Sequence, residues 1–309
     1  MKLFKLLTIA LAAALIAPVS GMAQQKINSC SRDSLKKVVD LYIAAQTKGD
    51  ISGLPFAAGY GYMENVAPAN INDGVIKKPM KIDFNRSFYD TATCQSYTEV
   101  IVTNKENPYV LGTRIRVVTD KITELEIIWT TTGHWLFNAD DYLKYSSAEK
   151  WTEIPAGSRD TREKLLYAAN AYLDAFVDGN MDIVPWGYPC VRIEGGAYTA
   201  QGGEKPDSTC AVGVPSGVTI ANRRFVVDET AGTVAVFCTF GASNGAPDLH
   251  LFRVENGKLR YAHTLTHMQQ SSFMGPMPKG SDYTGVPKSK GGEGFGKPKA
   301  PMGPPPAKQ

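Results

Sequence analysis

Leu35-Lys36-Lys37-Val38-Val39-Asp40-Leu41-Tyr42-Ile43-Ala44-Ala45-Gln46-Thr47-Lys48-Gly49 and Leu165-Leu166-Tyr167-Ala168-Ala169-Asn170-Ala171-Tyr172-Leu173-Asp174-Ala175-Phe176-Val177-Asp178-Gly179 decide the fold, because they are two copies of one helix. In the first, Leu35, Val38, Val39, Tyr42 and Gln46 recur at the spacing of one buried helical face. Leu165, Leu166, Ala169, Tyr172, Leu173 and Phe176 repeat that face. Ser31 is placed to cap the first helix, Ser158 or Asp160 precedes the second, and Gly49 and Gly179 stop them.

The likeness continues downstream. At a shift of 130, Tyr42 meets Tyr172, Gly49 meets Gly179, Pro55 meets Pro185 and Glu64 meets Glu194. At 137, Asn85-Arg86 meets Asn222-Arg223, Phe88 meets Phe225 and Arg116-Val117 meets Arg253-Val254. The common order of these matches makes the chain an internal duplication. After each helix come short alternating runs: 83–90, 97–104, 111–118 and 122–129, then 222–228, 233–240, 249–254 and 258–267. They read as antiparallel strands joined by turns such as Asn256-Gly257. A helix followed by such a meander predicts an α+β fold, with the helix buried in the hollow of a curved sheet, made twice.

Several phrases carry a resemblance: Lys81-Ile82-Asp83-Phe84-Asn85-Arg86-Ser87, Gly133-His134-Trp135-Leu136-Phe137-Asn138, Cys190-Val191-Arg192-Ile193-Glu194-Gly195-Gly196-Ala197-Tyr198, Val212-Gly213-Val214-Pro215-Ser216-Gly217-Val218, and Phe252-Arg253-Val254 through Leu259-Arg260-Tyr261-Ala262-His263-Thr264. Over about 28–268 the chain resembles a secreted fungal and bacterial family of unknown function built from tandem SnoaL-like domains of the nuclear transport factor 2-like superfamily. The resemblance implies two tandem cones, in 28–150 and 158–268. It leaves activity open, since fold does not fix function.

Residues 1–23 read as a signal peptide: Lys2 and Lys5, an apolar run from Leu6 to Val19, then Gly21 and Ala23. Residues 271–309 hold 8 Gly, 8 Pro and 6 Lys, the composition of a disordered tail. The ends carry the positive charge and the middle is slightly acidic, which argues against nucleic-acid binding. No internal run is long enough for a transmembrane helix. The expected location is exported, periplasmic or secreted.

Export permits disulfides. Five Cys allow several pairings; Cys30–Cys94 and Cys190–Cys210 each stay within one repeat. Cys238, in an apolar strand, reads as an inert buried thiol.

The last strand alternates, with Leu259, Tyr261, His263, Leu265 and His267 on one face. If that face lines the hollow, His263 is a candidate acid or base, its plainer alternative being a core imidazole satisfied by one hydrogen bond. Glu126 holds the corresponding place in the first repeat. SnoaL-like enzymes often carry acid/base groups on such strands, as the resemblance implies here. His263 and His267 lie about 13 Å apart along a strand, too far to share a metal, and no metal site is expected. Arg192 and Glu194 share one face beside Gly195-Gly196: Arg can stabilise an oxyanion and Glu can move a proton, or the two form a structural pair. Tyr42 and Tyr172 each present a hydroxyl toward a hollow or bury it against backbone. Asp83, Arg86, Arg223, Asp228 and Tyr198 complete the pocket candidates, with Trp186 and Tyr188 at a rim.

The function expected is a cofactor-independent lyase, dehydratase or isomerase, moving protons on a small oxygenated molecule with His263, Glu194, Arg192 and Tyr172. A non-catalytic small-molecule-binding protein and an assembly module, its two cones packed sheet to sheet, are the alternatives. A homodimer is also open to it.

Overall fold

The computed structural model describes residues 30–200, 210–211 and 214–270. The expected signal peptide and tail lie outside the described residues. Each repeat opens with a 17-residue helix, α1 (Arg32–Lys48) or α3 (Arg162–Asp178). The Ser31 hydroxyl accepts from Ser34 N at 3.0 Å. Thr161, rather than Ser158 or Asp160, occupies the N-cap of α3, without a side-chain bond. Gly49 and Gly179 end the helices in the left-handed region at φ 66° and 75°.

The first repeat continues with β1 (Phe56–Glu64), β2 (Ala67–Pro68), β3 (Phe84–Asp90), β4 (Gln95–Val102), β5 (Tyr109–Val118) and β6 (Lys121–Thr130), then α2 (Ala139–Ala148). The second has β7 (Trp186–Glu194), β8 (Ala197–Tyr198), β9 (Ile220–Asp228), β10 (Thr233–Phe240), β11 (Ala246–Glu255) and β12 (Lys258–Thr266). The sheets have the same order, β2-β1-β6-β5-β4-β3 and β8-β7-β12-β11-β10-β9. This is α+β, two tandem cones, each a helix set against a curved six-stranded sheet. The sheets are mixed rather than purely antiparallel. β1 and β7 run parallel to β6 and β12, since the whole meander intervenes as the crossover. These edge hairpins and α2 are elements that the alternating patterns did not announce.

α1 buries Leu35, Val38 and Tyr42 against Val100, Leu111, Ile115 and Ile127. α3 buries Leu165, Tyr172 and Phe176 against Val236, Phe252 and Leu259. The outer faces of the two sheets, away from the helices, pack on each other through Tyr97, Val110 and Ile128 against Phe237, Leu249 and Leu251. Approach is close enough that a Cβ on Gly112 would lie 2.0 Å from Leu249 Cδ2.

The junction has approximate twofold symmetry. Arg32 pairs with Asp228 and Arg162 with Asp90, both at 2.8 Å. Asp228 accepts from Tyr89 N at 2.9 Å, and Asp90 from Val227 N at 3.0 Å. The duplicated domains thus meet through one self-complementary surface, the geometry of a symmetric dimer within a single chain. Both disulfides fall within repeats: Cys30–Cys94 and Cys190–Cys210.

Candidate functional site

The register of each sheet sets rows of side chains across its helix-facing side. In the second cone, one row is Cys238, Asp248 and Thr266; the next is Val236, His250 and Thr264. The matching rows of the first cone are Val100, Leu111 and Trp129, then Thr98, Thr113 and Ile127. Where the first cone has bulky apolar groups at positions 111 and 129, the second has smaller polar ones at 248 and 266. The first hollow is lined by packed apolar side chains. Tyr42 is fully buried and shares a 2.6 Å hydrogen bond with Thr113 Oγ1.

The second hollow keeps a cavity of about 60 Å³, room for a few waters or a small organic group. Arg192, Glu194, Asp248, His250, Thr264 and Thr266 supply its polar lining. His250 Nε2 lies 2.7 Å from Asp248 Oδ2, and His250 Nδ1 is 3.1 Å from Thr264 Oγ1. Thr266 Oγ1 donates to Asp248 Oδ1 at 2.8 Å. A carboxylate can only accept, so Nε2 carries the proton and Nδ1 accepts from the Thr264 hydroxyl.

Arg192 Nη2 pairs with Glu194 Oε1 at 2.8 Å. Glu194 also accepts from Thr199 Oγ1 at 3.0 Å and from Trp135 Nε1 at 3.4 Å. Burial disfavours the guanidinium charge, but Glu194 outweighs it and Arg192 stays cationic. Arg192 Nε and Tyr172 Oη are buried and, among the described residues, neither makes a well-formed hydrogen bond to a third group; the two side chains lie against each other. Burial pushes the Tyr172 phenol up to about 12, against the pull of the Arg192 charge, so it remains a neutral donor.

The first repeat closes the mouth of the second cone. Trp135 lines the cavity, and its backbone N donates to Met268 O at 2.9 Å. Asn138 N donates to Gly195 O at 2.7 Å. A Cβ on Gly195 would stand 2.3 Å from Trp135 O, and one on Gly196 2.2 Å from Asn138 O. The double glycine is therefore the seat of a strap from the other repeat.

Arg192, Glu194 and Tyr172 come together as the sequence suggested, but His263 and Glu126 lie elsewhere. Val254 pairs with Leu259 while Arg253 pairs with Tyr261, so Arg260 is an extra residue. That bulge reverses the alternation, leaving Leu259 toward α3 and turning His263 to the outer face. There His263 Nε2 meets Glu149 Oε2 at 2.7 Å, and Nδ1 lies 3.3 Å from Tyr142 Oη and 3.4 Å from Glu99 Oε1. Thr123 makes the equivalent bulge in the first repeat. Glu126 accordingly faces Arg114 Nε at 2.9 Å and Arg224 Nε at 3.0 Å across the junction.

The other candidates are dispersed. Tyr42 is in the first core; Asp83 accepts from Thr103 N at 2.8 Å; Arg86 pairs with Glu99 at 2.6 Å; Asp228 is the junction acid. Arg223 reaches Asn170 and Asp174 on α3, and Tyr198 packs on Tyr145. Trp186 donates to Met181 O and Tyr188 is exposed. His267 leaves the strand face and turns to Trp129 O at 2.8 Å. The residues not singled out are Asp248, His250, Thr264 and Thr266. Their signal was alternation with Phe252 and Val254 along β11, which puts Asp248 and His250 on the helix-facing side.

Residues 158–266 match a domain of unknown function (DUF8021). No curated protein matches the chain. Among solved structures, the chain is similar to an NTF-2 like protein of unknown function from Burkholderia xenovorans LB400, at 14% identity and a TM-score of 0.25, over 38% of this chain and 97% of that one.

Proposed function

We propose that the second cone is the working site and that it moves a proton on a small, oxygen-bearing organic molecule. The reading rests on one observation: beside the Asp248–His250 pair the buried Tyr172 hydroxyl meets only the Arg192 guanidinium and donates to no acceptor among the described residues. An unpaired buried donor costs about 1–3 kcal/mol, which a ligand oxygen would recover. Glu194 is occupied in holding Arg192 and acts as a positioning residue.

Asp248 fixes the imidazole, leaving the Nδ1 lone pair on the Thr264 hydroxyl at the cavity wall. A proton leaving the ligand reaches Nδ1 directly once Thr264 turns aside, or through that hydroxyl. Arg192 and Tyr172 hold the oxygen on which negative charge gathers. The imidazole returns the proton at another atom, giving isomerisation, or to a departing hydroxyl, giving dehydration. His250 takes the role that the sequence offered to His263. The disulfides suit an oxidising compartment, and we place the protein outside the cytoplasm on that basis. No helix among the described residues is long and apolar enough to cross a membrane.

The test is deuterium exchange into a panel of small ketones, hydroxy acids and aldehydes in D2O, followed by NMR. Wild type exchanges the carbon-bound proton of at least one compound. His250→Gln slows that exchange by roughly 10²-fold or more, and Tyr172→Phe slows it less. Exchange undiminished in folded His250→Gln overturns the assignment.

A further inference from the structure

The row that opens the second cavity also assembles three different metal donors. Cys238 and Asp248 are direct cross-strand partners, and His250 follows two residues along the same strand and face. Cys238 Sγ, a carboxylate oxygen of Asp248 and a ring nitrogen of His250 all lie within 4.8 Å of one another, and all three residues are buried. We propose that Cys238, Asp248 and His250 bind a zinc-class divalent ion, with the fourth coordination position opening into the cavity.

The donor set selects the ion. One thiolate, one imidazole and one carboxylate suit zinc, whereas calcium and magnesium take oxygen ligands. The surroundings match a ligand shell as well. Thr264 holds His250 Nδ1 at 3.1 Å and Thr266 holds Asp248 Oδ1 at 2.8 Å. Each Thr therefore occupies the atom that would not bind metal, leaving Nε2 and Oδ2 to converge with the sulfur. Outer partners that fix ligand orientation in this way are a regular part of metal sites. Asp248 and His250 also line the cavity, so an exogenous water or ligand oxygen can complete a tetrahedron. The equivalent first-cone positions, Val100, Leu111 and Thr113, offer no such set.

The chemistry balances without a co-reactant. The Cys238 thiol gives up its proton to solvent as the S–metal bond forms, and the imidazole proton moves from Nε2 to Nδ1, where it donates to Thr264. The ion then occupies the Nε2 and Oδ2 positions that the Asp248–His250 hydrogen bond uses. Metal loading and proton transfer by that pair exclude each other, so zinc is an inhibitor of the activity proposed above. The metal site itself does not rest on that activity. It also gives Cys238 a role beyond the inert thiol that its apolar strand suggested.

Cobalt(II) is the probe. Added to chelator-treated full-length protein, it is expected to bind one equivalent per chain, with visible tetrahedral bands and a near-ultraviolet thiolate charge-transfer band. Zinc should abolish both. Cys238→Ser should remove the charge-transfer band and weaken binding by 100-fold or more; Thr266→Val should weaken it by about 10-fold, and Thr113→Val in the first cone should leave it unchanged. Far-ultraviolet circular dichroism establishes that each variant is folded, and Thr266→Val keeps the test open if Cys238→Ser is not. Absence of the cobalt bands in wild type, or undiminished affinity in folded Cys238→Ser, overturns the site. Deuterium exchange reports separately: loss in His250→Gln with retention in metal-free Cys238→Ser supports proton transfer whichever way the metal result falls.

Discussion

The two cones share a strand order, a helix in the hollow, a bulge at the same place and one half each of a symmetric junction, yet their interiors differ in kind. In the first, Tyr42 meets Thr113, and Leu111, Ile127 and Trp129 fill the space. In the second, the equivalent Tyr172 hydroxyl meets no Thr and lies against Arg192, and Asp248, Thr264 and Thr266 stand where those bulky groups stood. Duplication thus left one copy with a packed interior and the other with a polar cavity. The scaffold is held by groups the copies share, and the proton transfer is assigned to Asp248 and His250, whose first-cone counterparts are Leu111 and Thr113.

The symmetric part of that comparison is the most sensitive to attack. Asp90 and Asp228 are fully buried, each paired with an Arg and accepting backbone N–H groups from both repeats. Replacing either with Ala should cost about 3 kcal/mol, and the two costs should agree within about 1 kcal/mol, measured by urea unfolding. A difference several times larger would break the symmetry argument.

His263 sharpens the comparison from the junction side. Burial alone would lower its pKa, but Glu149 and Glu99 outweigh that and push it up to about 9. A raised folded pKa means stabilisation fully present below its unfolded value near 6.5 and lost as pH rises through about 9. Wild type should lose on the order of 3 kcal/mol across that window, and His263→Gln should flatten the dependence. An unchanged profile in His263→Gln would return this residue to solvent.

The two tyrosines provide the finest contrast. Tyr42→Phe removes a satisfied buried hydrogen bond and should cost about 1 kcal/mol. Tyr172→Phe removes an unsatisfied hydroxyl and should be neutral or stabilising, while impairing the exchange activity. Equal losses of stability would mean that both hydroxyls are structural.

Much of this was legible in the sequence. Helical spacing at Leu35–Gln46 and Leu165–Phe176 gave the two helices, the repeated order gave two cones, and keeping bridges within repeats gave both disulfides. Arg192 and Glu194, two residues apart just before a double glycine, share one face of an extended segment, and the structure pairs them. What strand parity could not reveal was the extra residue at Arg260 and at Thr123, a single insertion that moves every later side chain to the opposite face. His263 and Glu126 were misplaced for that reason alone, and His250 was overlooked on a strand otherwise read correctly. The role of Gly195-Gly196 was only half visible: close backbone approach was foreseeable, but its cause is a strap from the other repeat.

The contrast between the interiors can be read directly with 5-fluorotryptophan and ¹⁹F NMR, since Trp135 lines the second cavity and Trp129 belongs to the filled first cone. Through a library of small oxygenated molecules, binders should shift the Trp135 resonance and leave Trp129 still. Binders that move Trp129 while Trp135 is unaffected would contradict the assignment of function to the second cone.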